Sequence, residues 1–188
     1  MAPSTTPSQT VGPFFQFLVR PGEERIVAPD HPEAIRLEGR VTDGEGAPVP
    51  DAMIELWQAD AAGRYAHPED PRHDECDPSF TGFARAGTDA EGRYRFVTVR
   101  PGAVAAPGGG RQAPHIAMSV FARGLVDRVT TRVYLPNHDD VLAADAVLAR
   151  VDEERRSTLV AIVSPHDPGR LLFDIRLQGD GETVFFDV

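Results

Sequence analysis

The chain has no lysine. All nineteen basic residues are arginine, set against 29 Asp and Glu among 188 residues, for a formal net charge of −10. So acidic a surface repels a phosphate backbone, which argues against nucleic acid as a partner. Cysteine is scarce too: Cys76 stands alone. Neither an intrachain disulfide nor a thiolate metal cluster can form, and a cytoplasmic location fits. No run approaches the ~18 apolar residues of a membrane span. The opening MAPSTTPSQTVGPFFQF has no basic region and no long apolar stretch, so no signal peptide and no membrane contact are expected. G-x-S-x-G and the phosphate-loop and dinucleotide glycine patterns are missing, and no helix is expected after the GGG at 108–110. Serine hydrolase and nucleotide chemistry are therefore not expected.

What is present reads as strands. IRLEGRVTD from residue 35 alternates apolar and polar, and DGEGAPVPD supplies turn chemistry. AMIELWQAD alternates again, with Met53, Glu55 and Trp57 on one face and Ile54, Leu56 and Gln58 on the other. GRYRFVTV, PHIAMSVFARG, DRVTTRVYLP, STLVAIVS, RLLFDIRLQG and ETVFFDV complete the set. Residues 60–90, rich in Asp, Gly, Pro and His, read as a long loop. VLAADAVLARVDEERR, around 140–156, lacks breakers and predicts one short helix. The fold class predicted is all-β: a single-domain β-sandwich of about eight strands, with an irregular N-terminal arm and long loops. Residues 1–34 are read as the arm and connecting segment, and 35–188 as the sandwich. Apolar GPFF follows the arm at once, so the arm's end is expected to dock on another surface.

Candidate chemistry is sparse. The six histidines include no pair at i, i+4 or i, i+2. His67 and His73 lie in the acidic loop 66–78, which reads as solvated. His115 opens a strand after a proline, as a metal ligand does, but equally as a core histidine holding a backbone group. Arg123, at the strand end FARG, reads as a solvated terminus or as a guanidinium fork for a carboxylate.

Several segments together change the weighing. LWQADAAGRY, TVRPG, APHIAMSVFARG and FDIRLQGDGETVFFDV resemble the non-haem iron(III) intradiol dioxygenases, over nearly the whole chain. TPSQTVGPF, PHI-x-x-S-x-FARG and GETVFFD resemble the alpha-type chains of its two-chain members in particular. The resemblance implies an oxidoreductase subunit. Its partner would be a homologous catalytic beta subunit in a larger alpha–beta hetero-oligomer, with an aromatic substrate at the interface. Family members hold Fe(III) with two tyrosines and two histidines. Tyr65 and His115 match the first of each; Val104 and Ala117 stand where the second of each is expected, and Gln112 replaces a family arginine. Tyr94 and Tyr134 lie mid-strand and read as core residues. Valine and alanine have no lone pair to give, so iron is expected in the beta subunit and none in this chain. Resemblance also implies that Thr10, Gly12 and Pro13, with Phe14 beside them, reach into the partner's pocket, and that Arg123 lies near it. Two alternatives are a self-sufficient dioxygenase and a non-catalytic β-sandwich binding module.

Overall fold

The computed structural model describes residues 12–107, 109–136 and 139–187. Thr10 and His138 lie outside the described residues. In chain order the strands are β1 (Ile35–Thr42), β2 (Met53–Gln58), β3 (Phe83–Gly87), β4 (Arg93–Thr98), β5 (Val104–Ala105), β6 (Arg111–Gln112), β7 (His115–Phe121), β8 (Val129–Tyr134), β9 (Ile162–Ser164), β10 (Asp167–Leu172) and β11 (Ile175–Arg176). One sheet has β1 at its centre, with β4 antiparallel along one side and β10, then β11, parallel along the other. The second runs β3-β2-β7-β8, antiparallel throughout. β5 and β6 form a separate small hairpin.

The alternation seen in the sequence is what joins the sheets. Leu37 and Val41 of β1, Phe96 of β4 and Leu171 of β10 are fully buried in one cluster with Ile54 and Leu56 of β2 and Ile116, Met118 and Val120 of β7. Each such side chain is worth about 1.5–3 kcal/mol relative to exposure. The intervening residues of β2, β7 and β8 face away from this core, and that outer face carries the site described below. Upstream of β1, Ile26 N donates to the Val97 carbonyl at 2.8 Å, and Ile26 and Val27 enter the same core.

A single carbonyl pins the first sheet. Between β10 and β11, the Phe173 oxygen approaches Gly39 so closely that a Cβ there would lie 1.7 Å from it. The Tyr94 hydroxyl donates to that oxygen at 2.5 Å. Only glycine admits the approach.

The sandwich matches the expected class, but several segments differ. β3 lies inside what reads as a long loop. Its two buried residues, Ala84 and Ala86, are small, and the strand is short, so its alternation is faint. The helix expected around 140–156 is broken into Asp139–Ala143 and two tight 3-10 stretches, Leu148–Arg150 and Glu153–Leu159. Asp145 is the cause: its carboxylate accepts the Val147 and Leu148 N–H groups at 2.9 Å each, interrupting the helical pattern. STLVAIVS contributes only Ile162–Ser164, and ETVFFDV makes one isolated bridge, Phe186 to Thr130, instead of a ladder.

Candidate functional site

The motif LWQAD-x2-G-x-Y builds one wall of the site. Gln58 faces inward, donating to the Ala59 and Val99 carbonyls and accepting from Thr98 Oγ1 at 2.6 Å. Trp57 faces outward. Asp60 closes the following turn, accepting Ala62 N, Arg64 N and the Arg64 guanidinium. Gly63 completes it with φ +74°, and a Cβ there would meet the Ala103 carbonyl at 2.2 Å. Gly102 packs as closely on Ala61. The two glycines thus lock Pro101-Gly102 against the turn, which sets Val104 beside Tyr65 in one cavity of about 610 Å³.

Tyr65 stacks on Trp57, ring centroids 5.7 Å apart and planes within 4°. Its backbone N–H goes to Asp70 Oδ2 at 2.9 Å, the main reason the Asp70 carboxyl stays below its ordinary value. Burial pushes the Tyr65 phenol up, against the pull of Arg132.

His115 is buried, 8% exposed. Its Nδ1 lies 2.7 Å from the Ala113 carbonyl, so Nδ1 carries the proton and Nε2 the lone pair. Burial first, and Arg132 second, lower its affinity for a further proton. Register sets the neighbours: Ala117 lies across from Trp57 on one side and from Arg132 on the other. His115 pairs with Tyr134, whose phenol is pushed up to about 12 by burial and the Asp145 carboxylate. Val104 pairs with Gln112 across the hairpin. All five positions the resemblance singled out, Tyr65, Val104, Gln112, His115 and Ala117, converge on the outer face of the second sheet.

These residues do not fit a ferric ion. Two of the four donor positions carry Val104 and Ala117, which have no lone pair. The Arg132 guanidinium, on the same face, donates to Gln112 Oε1 at 2.7 Å. Among the described residues no group of three or more His, Cys, Asp or Glu side chains is arranged to hold a metal. The acidic loop is knit by its own bonds, Arg72 to the Gly63 carbonyl and Arg64 to Asp60 and Glu75. Arg132 was not singled out in the sequence. The signal was present: Thr130, Arg132 and Tyr134 share the face that pairs with His115, Ala117 and Ser119.

Arg123 does not join this constellation. It follows the far end of β7, roughly 25 Å along the chain from His115 at strand spacing. It is 54% exposed and, among the described residues, pairs only with Asp51, at 3.6 Å. The chain's entry comes to this end: in the 3-10 stretch Gly12–Leu18, Phe15 is buried against Phe121, ring centroids 5.8 Å apart. Phe14 and Phe17 of the same stretch are 60% and 74% exposed. Arg123 and the root of the arm thus share the far end of β7, where Phe121 lies on the same outer face as His115 and Ala117 but six residues along from His115.

Comparison with known proteins accords with this geometry. The family model Dioxygenase_C, described as Dioxygenase, matches residues 23–179. The protocatechuate 3,4-dioxygenase alpha chain of Burkholderia cepacia is 44% identical over 198 residues, covering 97% of each chain. The beta chain from the same organism is 40% identical over 160 residues, covering 80% of this chain and 67% of its own length. In structure, the dioxygenase domain of a dioxygenase carbohydrate-binding fusion from Streptomyces sp. SirexAA-E superposes with a TM-score of 0.61 at 24% identity, covering 94% of this chain and 99% of that one. The chain, with this sandwich and these converging positions, belongs to the intradiol ring-cleaving dioxygenase family.

Proposed function

We propose that this chain is the alpha-type, non-catalytic partner in an intradiol protocatechuate 3,4-dioxygenase. A homologous beta subunit would hold Fe(III), and the pair would cleave 3,4-dihydroxybenzoate with dioxygen to 3-carboxy-cis,cis-muconate. Bound there, the iron would supply Lewis-acid activation of the catechol substrate. The observation that carries the reading is the half-empty donor set: Tyr65 and His115 present, Val104 and Ala117 silent, in a chain whose closely similar relative is named an alpha chain.

This chain's own contribution is to shape the partner's pocket and to assemble. Residues 1–34 act as arm and connecting segment, with Thr10, Gly12 and Pro13 reaching the partner. The exposed Phe14 and Phe17 support this, because two adjacent aromatic rings left in water call for a covering surface. Arg123, at the same end of β7 and held only loosely by Asp51, offers its guanidinium to the substrate carboxylate. The pairs assemble into a larger alpha–beta oligomer.

Co-expression with a homologue that carries both tyrosines and a histidine-any-histidine strand, followed by iron counting, tests the reading. One iron per alpha–beta pair and ring-cleaving activity are expected. Two irons per pair, or stoichiometric iron with a tyrosinate-to-iron band in this chain alone, would overturn it.

A further inference from the structure

Beside Ala117, on the face where the family places its metal, lies a second cavity of about 590 Å³. Arg132 and Ala117 are part of its lining, together with Arg150 and Arg155. We propose that this cavity is a binding site for a small organic anion, a one-ring carboxylate, with the Arg132 guanidinium as its main anchor and Arg150 at its rim.

Charge is the first support. Arg132 is half-buried, and no carboxylate among the described residues pairs with it; it donates to the neutral Gln112 side-chain oxygen at 2.7 Å and borders the neutral Tyr134 phenol. A guanidinium carries five N–H donors, so donors remain for a ligand. Three ionisable groups packed around Arg132 supply it with no counter-charge. Asp145, fully buried, spends its carboxylate on the N–H groups of Ala113, Val147 and Leu148 and on the Tyr134 hydroxyl. Tyr65 keeps its proton, and His115 lacks a second one. Three guanidiniums line the cavity against two carboxylates, Asp152 and Asp187, in a chain whose net charge is −10. Arg155 leans on Glu182 at 3.7 Å, which leaves Arg132 and Arg150 as the cations without a carboxylate partner among the described residues.

Shape is the second. Val147, Val151, Phe185 and Phe186 give the same cavity apolar walls. Small-ligand sites of about 300–1,000 Å³ combine such walls with a few convergent polar groups. An apolar ring with one carboxylate satisfies both halves, and the planar guanidinium matches the carboxylate's two oxygens. Alanine at 117 leaves open the space that a larger side chain would fill. A face that in relatives attracts a cation has here become one that attracts an anion.

Calorimetric titration of the full chain, in whichever form it purifies (alone or with its partner), tests this with benzoate and its neutral analogue benzamide. Benzoate is expected to bind with one more equivalent per chain in the wild type than in Arg132→Gln, or at least about tenfold more tightly. Arg132→Lys, which keeps the charge, is expected to retain most of the binding. Benzamide is expected to bind at least about tenfold more weakly than benzoate. Equal benzoate binding by wild type and Arg132→Gln, or equal binding of benzoate and benzamide, would overturn the proposal. If Arg132→Gln does not fold, the exposed Arg150→Gln carries the test: weakened benzoate binding supports the site, and unchanged binding sinks it. Neither result alters the iron count per pair, so failure here is distinct from failure of the alpha-chain reading.

Discussion

Arg132 lies directly across from Ala117 on the neighbouring strand, and its guanidinium is held by Gln112 Oε1 at 2.7 Å. The loss of metal ligands and the gain of a cation therefore meet on one patch of one sheet. Restoring ligands alone is therefore expected to fall short of restoring a metal site there. A fixed positive charge close by disfavours a cation in low-dielectric surroundings. Val104→Tyr with Ala117→His is expected to leave the chain essentially iron-free after reconstitution. Adding Arg132→Gln is expected to raise iron uptake severalfold and to bring in a visible tyrosinate-to-iron band. Iron per chain, with melting temperature as a fold control, checks it; equal uptake with and without Arg132 would remove the guanidinium as the obstacle.

The Gly39–Phe173 approach gives a stability prediction. A Cβ at Gly39 would press on a backbone oxygen at 1.7 Å and displace the Tyr94 hydroxyl, itself 2.8 Å away. Backbone cannot yield as a flexible side chain does, so Gly39→Ala is expected to cost about 3 kcal/mol or more. Gly44→Ala, whose Cβ would sit 3.4 Å from the Gln178 Cβ, is expected to change stability far less. Urea melts of the two variants side by side decide it, and similar losses would mean that the pinning carbonyl is not held as described.

For Arg123, the prediction concerns substrate and not fold. Its guanidinium is half-exposed, and the 3.6 Å contact to Asp51 is long for an ion pair of consequence. Arg123→Ala in the alpha–beta assembly is expected to raise KM for 3,4-dihydroxybenzoate about tenfold, equivalent to about 1.4 kcal/mol. The iron count and melting temperature should stay unchanged. An unaltered KM would remove the carboxylate-binding role.

Much of this was legible in the sequence because it rests on local alternation. Ile54/Leu56 and Ile116/Met118/Val120 declare their strands by period two, and the same period puts Trp57, His115 and Ala117 on the opposite face. Tyr65, Val104 and His115 could be placed together only through the family resemblance. Their convergence depends on Gly63 and Gly102 locking two distant turns, which no local pattern reveals. β3 escaped notice because Ala84 and Ala86 bury little area each. The broken helix did so because Asp145's pull on the Val147 and Leu148 N–H groups is a tertiary arrangement anchored on Ala113, 32 residues earlier. Arg132 reads in sequence as one more charged strand residue. Its meaning appears only once register sets it against Ala117.

Asp145 supplies the last prediction. Burial alone would raise its carboxyl, but the N–H groups of Leu148, Ala113 and Val147, with the Tyr134 hydroxyl, outweigh burial and hold it below the ordinary carboxylate value. In the range between that depressed value and the unfolded one, near about 3.9, the unfolded chain binds more protons than the folded one. Stability from this group is therefore fully present above about pH 4 and is lost as pH falls through the folded value. Asp145→Ala leaves two buried N–H groups, one part-buried N–H and one hydroxyl without their acceptor, and is expected to cost about 2–4 kcal/mol at neutral pH. The gap between wild type and variant should then narrow as pH drops below about 4, because the wild type loses what the variant never had. Denaturant melts at neutral pH and at two points below pH 4 measure it. A gap that stays constant with pH would mean that packing, and not the ionised carboxylate, ties Ala113 to the Val147–Leu148 turn.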